Sequence, residues 1–160
     1  MTVAMIVVPA VLASITADVY FLFRWMKRLR VEAIEALRGT VGVEKVYNVE
    51  DCNYFGTLSR GYAQLKGNGI LALTDRGIHF RMLLPRRYLF IPVASVRAVS
   101  RPRSFLGRTR ARELLRVDFT DEGGRDDACA WLVPSPDWWT KALPALQAGE
   151  EPPAAPWSQA

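Results

Sequence analysis

Histidine occurs once and cysteine twice in this chain of 160 residues, at His79, Cys52 and Cys129. With the cysteines 77 positions apart there is no CxxC pair, no HExxH and no Cys/His cluster of metal-ligand spacing, which excludes a structural zinc site. Charged residues are also few, 23% against 50% hydrophobic. Such a chain can bury a core, so wholesale disorder is excluded, and its length suits one domain rather than two with a linker. No GxSxG or other nucleophile context surrounds Ser59 or Ser104, and His79, on the alternate face of a strand, reads as a surface histidine. No enzyme, cofactor or metal site is therefore expected. Gly67-Asn68-Gly69 is too short for a phosphate loop and reads as a hairpin turn. RNP, KH and helix-turn-helix patterns are lacking, which argues against nucleic acid as a partner despite the abundant arginine.

The apolar residues are concentrated at the start. From Val3 to Phe23 only Asp18 is charged, and this run makes about 32 Å of helix, roughly the thickness of a bilayer core. Nothing basic precedes it, whereas Arg24, Lys27, Arg28 and Arg30 follow at once. Residues 1–23 thus read as an uncleaved single-pass transmembrane anchor, with the amino terminus outside and the rest in the cytoplasm, where both cysteines stay reduced. The competing reading is a signal cleaved near Ala13. Asp18 at the centre of a span would cost about 2.5–3.5 kcal/mol and could mark a helix contact, but so near the cytoplasmic end it is more simply hydrated by tilt. Residues 24–39 continue as a basic juxtamembrane helix, with Val31, Ile34 and Leu37 at helical spacing and Gly39 as its stop.

Residues 40–147 read as the folded domain. Ile78, Phe80 and Met82 alternate with His79 and Arg81, and Leu115, Val117 and Phe119 alternate with Arg116 and Asp118, the period of strands with one face in a core. Turn residues recur at Asp75-Arg76-Gly77, Leu84-Pro85-Arg86 and Asp121-Glu122-Gly123-Gly124. The spacing predicts an antiparallel meander with strands near 57–65, 69–75, 77–83, 86–91, 95–101, 112–120 and 125–133, with a helical turn at 91–95. A terminal helix follows, capped by Ser135, opened by Pro136 and Asp137, built on Trp138, Trp139, Ala142, Leu143 and Leu146, and kinked or shortened at Pro144. Residues 148–160 read as a disordered tail.

Three segments carry a resemblance: Gly69-Ile70-Leu71-Ala72-Leu73-Thr74-Asp75-Arg76-Gly77-Ile78-His79-Phe80, Ile91-Pro92-Val93-Ala94-Ser95-Val96, and Trp138-Trp139. In that order they resemble membrane-anchored prokaryotic proteins with a pleckstrin-homology-like (PH-like) or GRAM-like domain. Asn53-Tyr54-Phe55-Gly56, Arg60-Gly61 and Arg103-Ser104-Phe105-Leu106-Gly107 are similar to a narrower, uncharacterised group of that kind. The resemblance implies a mainly β fold, a seven-stranded antiparallel, partly open barrel with a C-terminal capping helix, preceded here by the transmembrane helix. It implies no activity, since such modules bind phosphoinositides, other lipids or peptides.

Charge is polarised along the chain. Ten arginines and one acid between Arg81 and Arg116 give +9, while the remaining 11 basic and 15 acidic residues give −4. Arg101, Arg103, Arg108, Arg110 and Arg112 fall largely in one loop with Phe105 and Leu106 at its tip, and Arg86 and Arg87 lie in a neighbouring turn. Arginines can pair with phosphate while apolar side chains dip into a membrane interface. The plainer reading is a solvated loop paired to Asp121, Glu122, Asp126 and Asp127. Two functions from different classes follow. One is a module held at the membrane that contacts anionic lipid headgroups through these residues; the other is a cytoplasmic scaffold that binds a peptide of a membrane-associated protein partner.

Overall fold

The computed structural model describes residues 2–109 and 111–156, with the side chains of residues 2–15 and 17 outside that description. Helix α1 (Thr2–Val41) is continuous over 40 residues. It runs through Gly39, the expected stop, because an interior glycine costs a helix only about 1 kcal/mol. Gly42, at φ 61°, ends it instead. Among the described residues no helix is long and apolar enough to cross a membrane. Most of the expected anchor over 1–23 has side chains outside the described set.

Among the described residues nine strands follow: β1 (Val46–Thr57), β2 (Gly67–Thr74), β3 (Gly77–Met82), β4 (Arg87–Pro92), β5 (Val96–Ser100), β6 (Ser104–Phe105), β7 (Arg108–Thr109), β8 (Leu115–Thr120) and β9 (Asp126–Leu132). Helix α2 (Pro136–Gln147) ends the domain. Seven strands form one antiparallel sheet in the order β4-β3-β2-β1-β9-β8-β5, and β6 and β7 make a separate small hairpin. The sheet is not closed, since β4 and β5 remain its edges.

Six of the seven expected strands lie within three residues of their predicted bounds, and the first does not. It begins at Val46 rather than 57 because its inward positions include Asn48 and Glu50, both buried, and polar residues there hide the alternation. The stretch assigned to it is instead a short 3-10 turn, Leu58–Arg60, and a loop. Gln64 ties this loop down, accepting from the Thr57 N–H at 2.8 Å and donating to the Thr57 carbonyl at 2.7 Å. Gly67-Asn68-Gly69, expected as a turn, opens β2. Gly69 must be glycine for a different reason: a Cβ there would stand 2.4 Å from the Phe80 ring and 2.6 Å from the Arg81 carbonyl.

The sheet is covered on both faces. Its inner face packs Leu71, Leu73, Ile78, Phe80, Val117, Phe119 and Trp131 against Trp138, Trp139, Ala142 and Leu143 of α2. The outer face of β2 packs Ile70 and Ala72 against Ala33, Leu37 and Val41 of α1. The outer face of β9, at Ala128 and Ala130, is covered by Phe105 of the small hairpin with Phe55 and Leu114. Two-sided cover explains why β2 and β9 read as unbroken apolar runs.

Helix α2 continues through Pro144 to Gln147, so proline does not end it early. Pro136 opens it as expected, but Ser135 makes no side-chain cap, because its hydroxyl donates to Glu50 Oε2 at 2.7 Å. Residues 148–156 do not hang free. Trp138 Nε1 donates to the carbonyls of Pro153 and Ala154 at 2.9 and 3.1 Å, and Lys45 pairs with Glu151 at 2.6 Å.

Candidate functional site

Asn53 of β1 is paired with Asn68 of β2 and with Leu132 of β9, which makes it the corner where the two halves of the sheet meet. Its amide donates to Asn68 Oδ1 at 2.8 Å. Two ion pairs fasten α1 near this corner: Arg30 to Asp51 of β1 at 2.8 Å, and Arg86 of the β3–β4 turn to Glu32 at 2.6 Å. Between helix and sheet lies a cleft of about 430 Å³. Phe23, Met26, Leu83, Leu132, Val133 and Pro134 supply its apolar walls. Lys27, Arg30 and Arg112 bring positive charge to it, and Asp51 is its one acid. Arg30 is committed to Asp51, while Lys27 and Arg112 have no carboxylate partner among the described residues. The cleft thus offers two free cations beside hydrocarbon.

The predicted basic residues divide into three groups. Arg86 is held by Glu32, and Arg101 by Glu113 at 3.6 Å and by Asp137 of α2. Arg87, Arg103 and Arg108 are exposed and make no ion pair among the described residues. Arg110 lies outside the described residues. The anticipated pairing of the loop to Asp121, Glu122, Asp126 and Asp127 is absent among the described residues. Asp121 takes Arg125 at 3.0 Å, Asp126 takes Arg97, and Asp127 accepts from the Ser59 hydroxyl at 2.6 Å. Lys66, the residue before β2, has its pKa lowered by burial and by the charge of Arg108, so the loop's positive field reaches the β1–β2 connection.

Phe105 requires a correction. It was expected at an exposed tip, but it is only 5% exposed and packs with Phe55, Leu114, Ala128 and Ala130. The guanidinium of Arg116 lies 5.8 Å from its ring centroid. Leu106, at φ 47°, is half-buried against the same cluster. The hairpin folds back because the two alanines of β9 leave room for an aromatic ring. No aromatic tip is left to enter a membrane at this loop.

His79 requires another. It is 2% exposed, since α1 and the turn after it cover the outer face of β3. Its Nε2 lies 2.9 Å from Glu44 Oε2 and its Nδ1 lies 2.7 Å from the Tyr88 hydroxyl. The Thr74 hydroxyl donates to the same Glu44 oxygen at 2.7 Å, and Arg76 approaches the other at 3.4 Å. Burial works to raise the Glu44 pKa, but the hydrogen bonds from Thr74 and His79 and the charges of His79 and Arg76 prevail and lower it. Both ring nitrogens are engaged, so the cluster is a clasp.

Sequence reasoning named Lys27 and Arg30 together but missed that Arg112 joins them, since it comes from a loop distant in the chain. The only local signal is that each sits in a basic run.

No family model matches the chain, and no curated protein is similar to it at a significant level. Among solved structures, it is similar to the C-terminal domain of an unknown protein from Leishmania infantum, at 13% identity and a TM-score of 0.52, over 72% of this chain and 98% of that one. At that identity the likeness concerns the fold alone.

Proposed function

We propose that this chain is a membrane-tethered binding module of PH-like architecture that contacts anionic lipid headgroups through its basic residues. In this reading the amino terminus is outside the membrane and the β domain is cytoplasmic. The strand order, with two open edges and a helix packed inside the sheet, is in keeping with such a module. The observation that carries the reading is the place of the cationic cleft. Phe23 of α1 lines it, in a stretch of the helix where Tyr20, Phe21 and Trp25 are also exposed, beside the basic residues Arg24, Lys27 and Arg28. Exposed aromatics followed by lysine and arginine are the usual signature of a membrane interface. A basic surface held there gains about 1 kcal/mol per cation from an anionic leaflet, and tethering keeps the effective concentration high.

The test uses the full chain reconstituted in nanodiscs, either phosphatidylcholine alone or mixed with phosphatidylglycerol, with amide hydrogen exchange read over residues 83–87 and 101–114. Protection in the anionic discs that weakens with salt is the expected result. Equal exchange in both discs would overturn the lipid reading. A protein scaffold would then take its place, favoured by the unpaired edges and by a cleft of about 560 Å³ between Leu89, Phe90 and Pro92 of β4 and the β8–β9 turn. An extended peptide can add to such an edge.

A further inference from the structure

Resting on the lipid reading, we propose that the cleft between α1 and the sheet is a discrete site for one anionic glycerophospholipid. Its phosphate lies between Lys27 and Arg112, and hydrocarbon lies against Met26, Leu83 and Leu132. This goes beyond general attraction to a charged surface, because it assigns one lipid to one place.

Three features of the cleft select the class of ligand. Its volume of about 430 Å³ falls within the ~300–1,000 Å³ of clefts and cavities that hold small ligands. Its charge balance, three cations against Asp51, leaves two positive groups unanswered once Arg30 has paired. Apart from Asn68 and Cys52, its other side-chain walls are apolar. A soluble anion would meet the cations but leave the apolar wall wet, and a neutral hydrocarbon would desolvate the cations without compensation. An amphiphile with an anionic head satisfies both. The bilayer is the source that fits, since Phe23 lines the cleft on the same helix that carries the apolar run of residues 3–23.

The pair Arg30–Asp51 spans helix and β1 across one side of the cleft, and the pairing takes Arg30 out of the set of unanswered cations. In the neighbouring turn Arg86 pairs with Glu32 and fixes the helix a second time. The helix wall is seated by apolar packing, Met26, Ala33 and Leu37 lying against Ile70, Ala72 and Leu83, and a wall already in position lowers the ordering cost of binding.

The experiment is native mass spectrometry of the full chain in detergent with added phosphatidylglycerol or phosphatidylcholine. A one-lipid adduct that saturates with phosphatidylglycerol, at concentrations where phosphatidylcholine gives little, is the expected result. Lys27→Gln with Arg112→Gln should weaken it at least tenfold, and Met26→Trp, which fills the wall, should abolish it. Arg103→Gln with Arg108→Gln should leave the adduct intact while losing loop protection in anionic nanodiscs, so the two proposals can fail separately. Near-UV circular dichroism checks the fold, and if Met26→Trp misfolds the charge variant decides. Equal binding of both lipids, lipid numbers that rise without a one-lipid plateau, displacement by excess inorganic phosphate, or undiminished binding in the charge variant would each overturn the site.

Discussion

Glu44 and His79 stand 2.9 Å apart where the turn leaving α1 meets the outer face of β3. The carboxylate side chain is 9% exposed and the imidazole 3%, so neither can turn to water without moving the helix end. Together with Val41 and Leu37 against the sheet, this contact holds the domain to the helix that leads to the proposed membrane.

Replacing His79 with alanine should therefore destabilise the domain by about 1–3 kcal/mol, the cost of stranding buried partners. Amide exchange over residues 41–46 should rise first. Acid should have a related effect through Glu44. Its folded pKa is lowered, so its stabilising contribution is present above the ordinary value of 4.5 and lost as pH falls through the lowered one. The difference in melting temperature between wild type and Glu44→Gln should shrink on acidification below 4.5. An unchanged difference at low pH would contradict the clasp.

Glu50 behaves in the opposite sense. It is buried on the inner side of β1, where it accepts from Trp139 Nε1 and the Ser135 hydroxyl, and burial raises its pKa despite those hydrogen bonds. A raised carboxyl favours the fold below 4.5, and that contribution is lost as pH rises through the folded value. Glu50→Gln can keep the bond from Trp139 and donate to the Ser135 hydroxyl, but it gives up accepting from the Ser135 backbone N–H. Its thermal stability relative to wild type should be more favourable at pH 7–8 than at pH 4, because the variant carries no charge to bury. A Glu50→Gln variant that is less stable at pH 8 than at pH 4, relative to wild type, would refute this.

These two carboxylates also mark what could be read from the sequence. β3 and β8 were legible because Ile78, Phe80, Met82, Leu115, Val117 and Phe119 alternate with polar residues and all six are buried. The other face of β3 was not legible, because periodicity cannot tell water from a covering helix, and α1 covers His79. β1 escaped because a buried Asn48 and Glu50 break the apolar pattern, and Glu50 is explained only by a tryptophan 89 positions away. The positive charge of the 101–114 loop was plain, but the burial of Phe105 depended on the space above Ala128 and Ala130. The cleft depends on α1 lying beside the corner where β2 and β9 both pair with β1, which no local pattern encodes.

Phe105→Ala should lower stability by about 3–5 kcal/mol, the usual cost of truncating a buried phenylalanine. In a chain of this size that is roughly 10 °C in melting temperature. If Phe105 instead entered the membrane from an exposed tip, its loss would leave melting in detergent unchanged and weaken only docking.

A reporter fused after Ala160 tests the proposed orientation, in which the basic residues after Phe23 would place the following chain on the cytoplasmic side. A reporter active only in the cytoplasm should give signal. Exchange of the flanking charges should invert or scramble the result, and a signal from a secreted reporter in the unaltered chain would defeat the topology.

The last prediction separates the arginines by their partners. Arg86 and Arg101 already face carboxylates, whereas Arg103 and Arg108 are exposed with no ion pair among the described residues. A cation with a bound carboxylate presents little net charge to a leaflet, so the second pair should dominate docking. At about 1 kcal/mol per cation, Arg103→Gln with Arg108→Gln should lower loop protection in anionic nanodiscs by about thirtyfold at low salt. Arg86→Gln with Arg101→Gln should lower it far less and should cost only about 0.2–1 kcal/mol of stability per surface pair. Raising salt toward 1 M, where the Debye length falls to about 3 Å, should bring all three proteins to the same weak protection. If the carboxylate-paired arginines matter as much as the free ones, docking does not follow available charge, and the basic loops are not what reads the membrane.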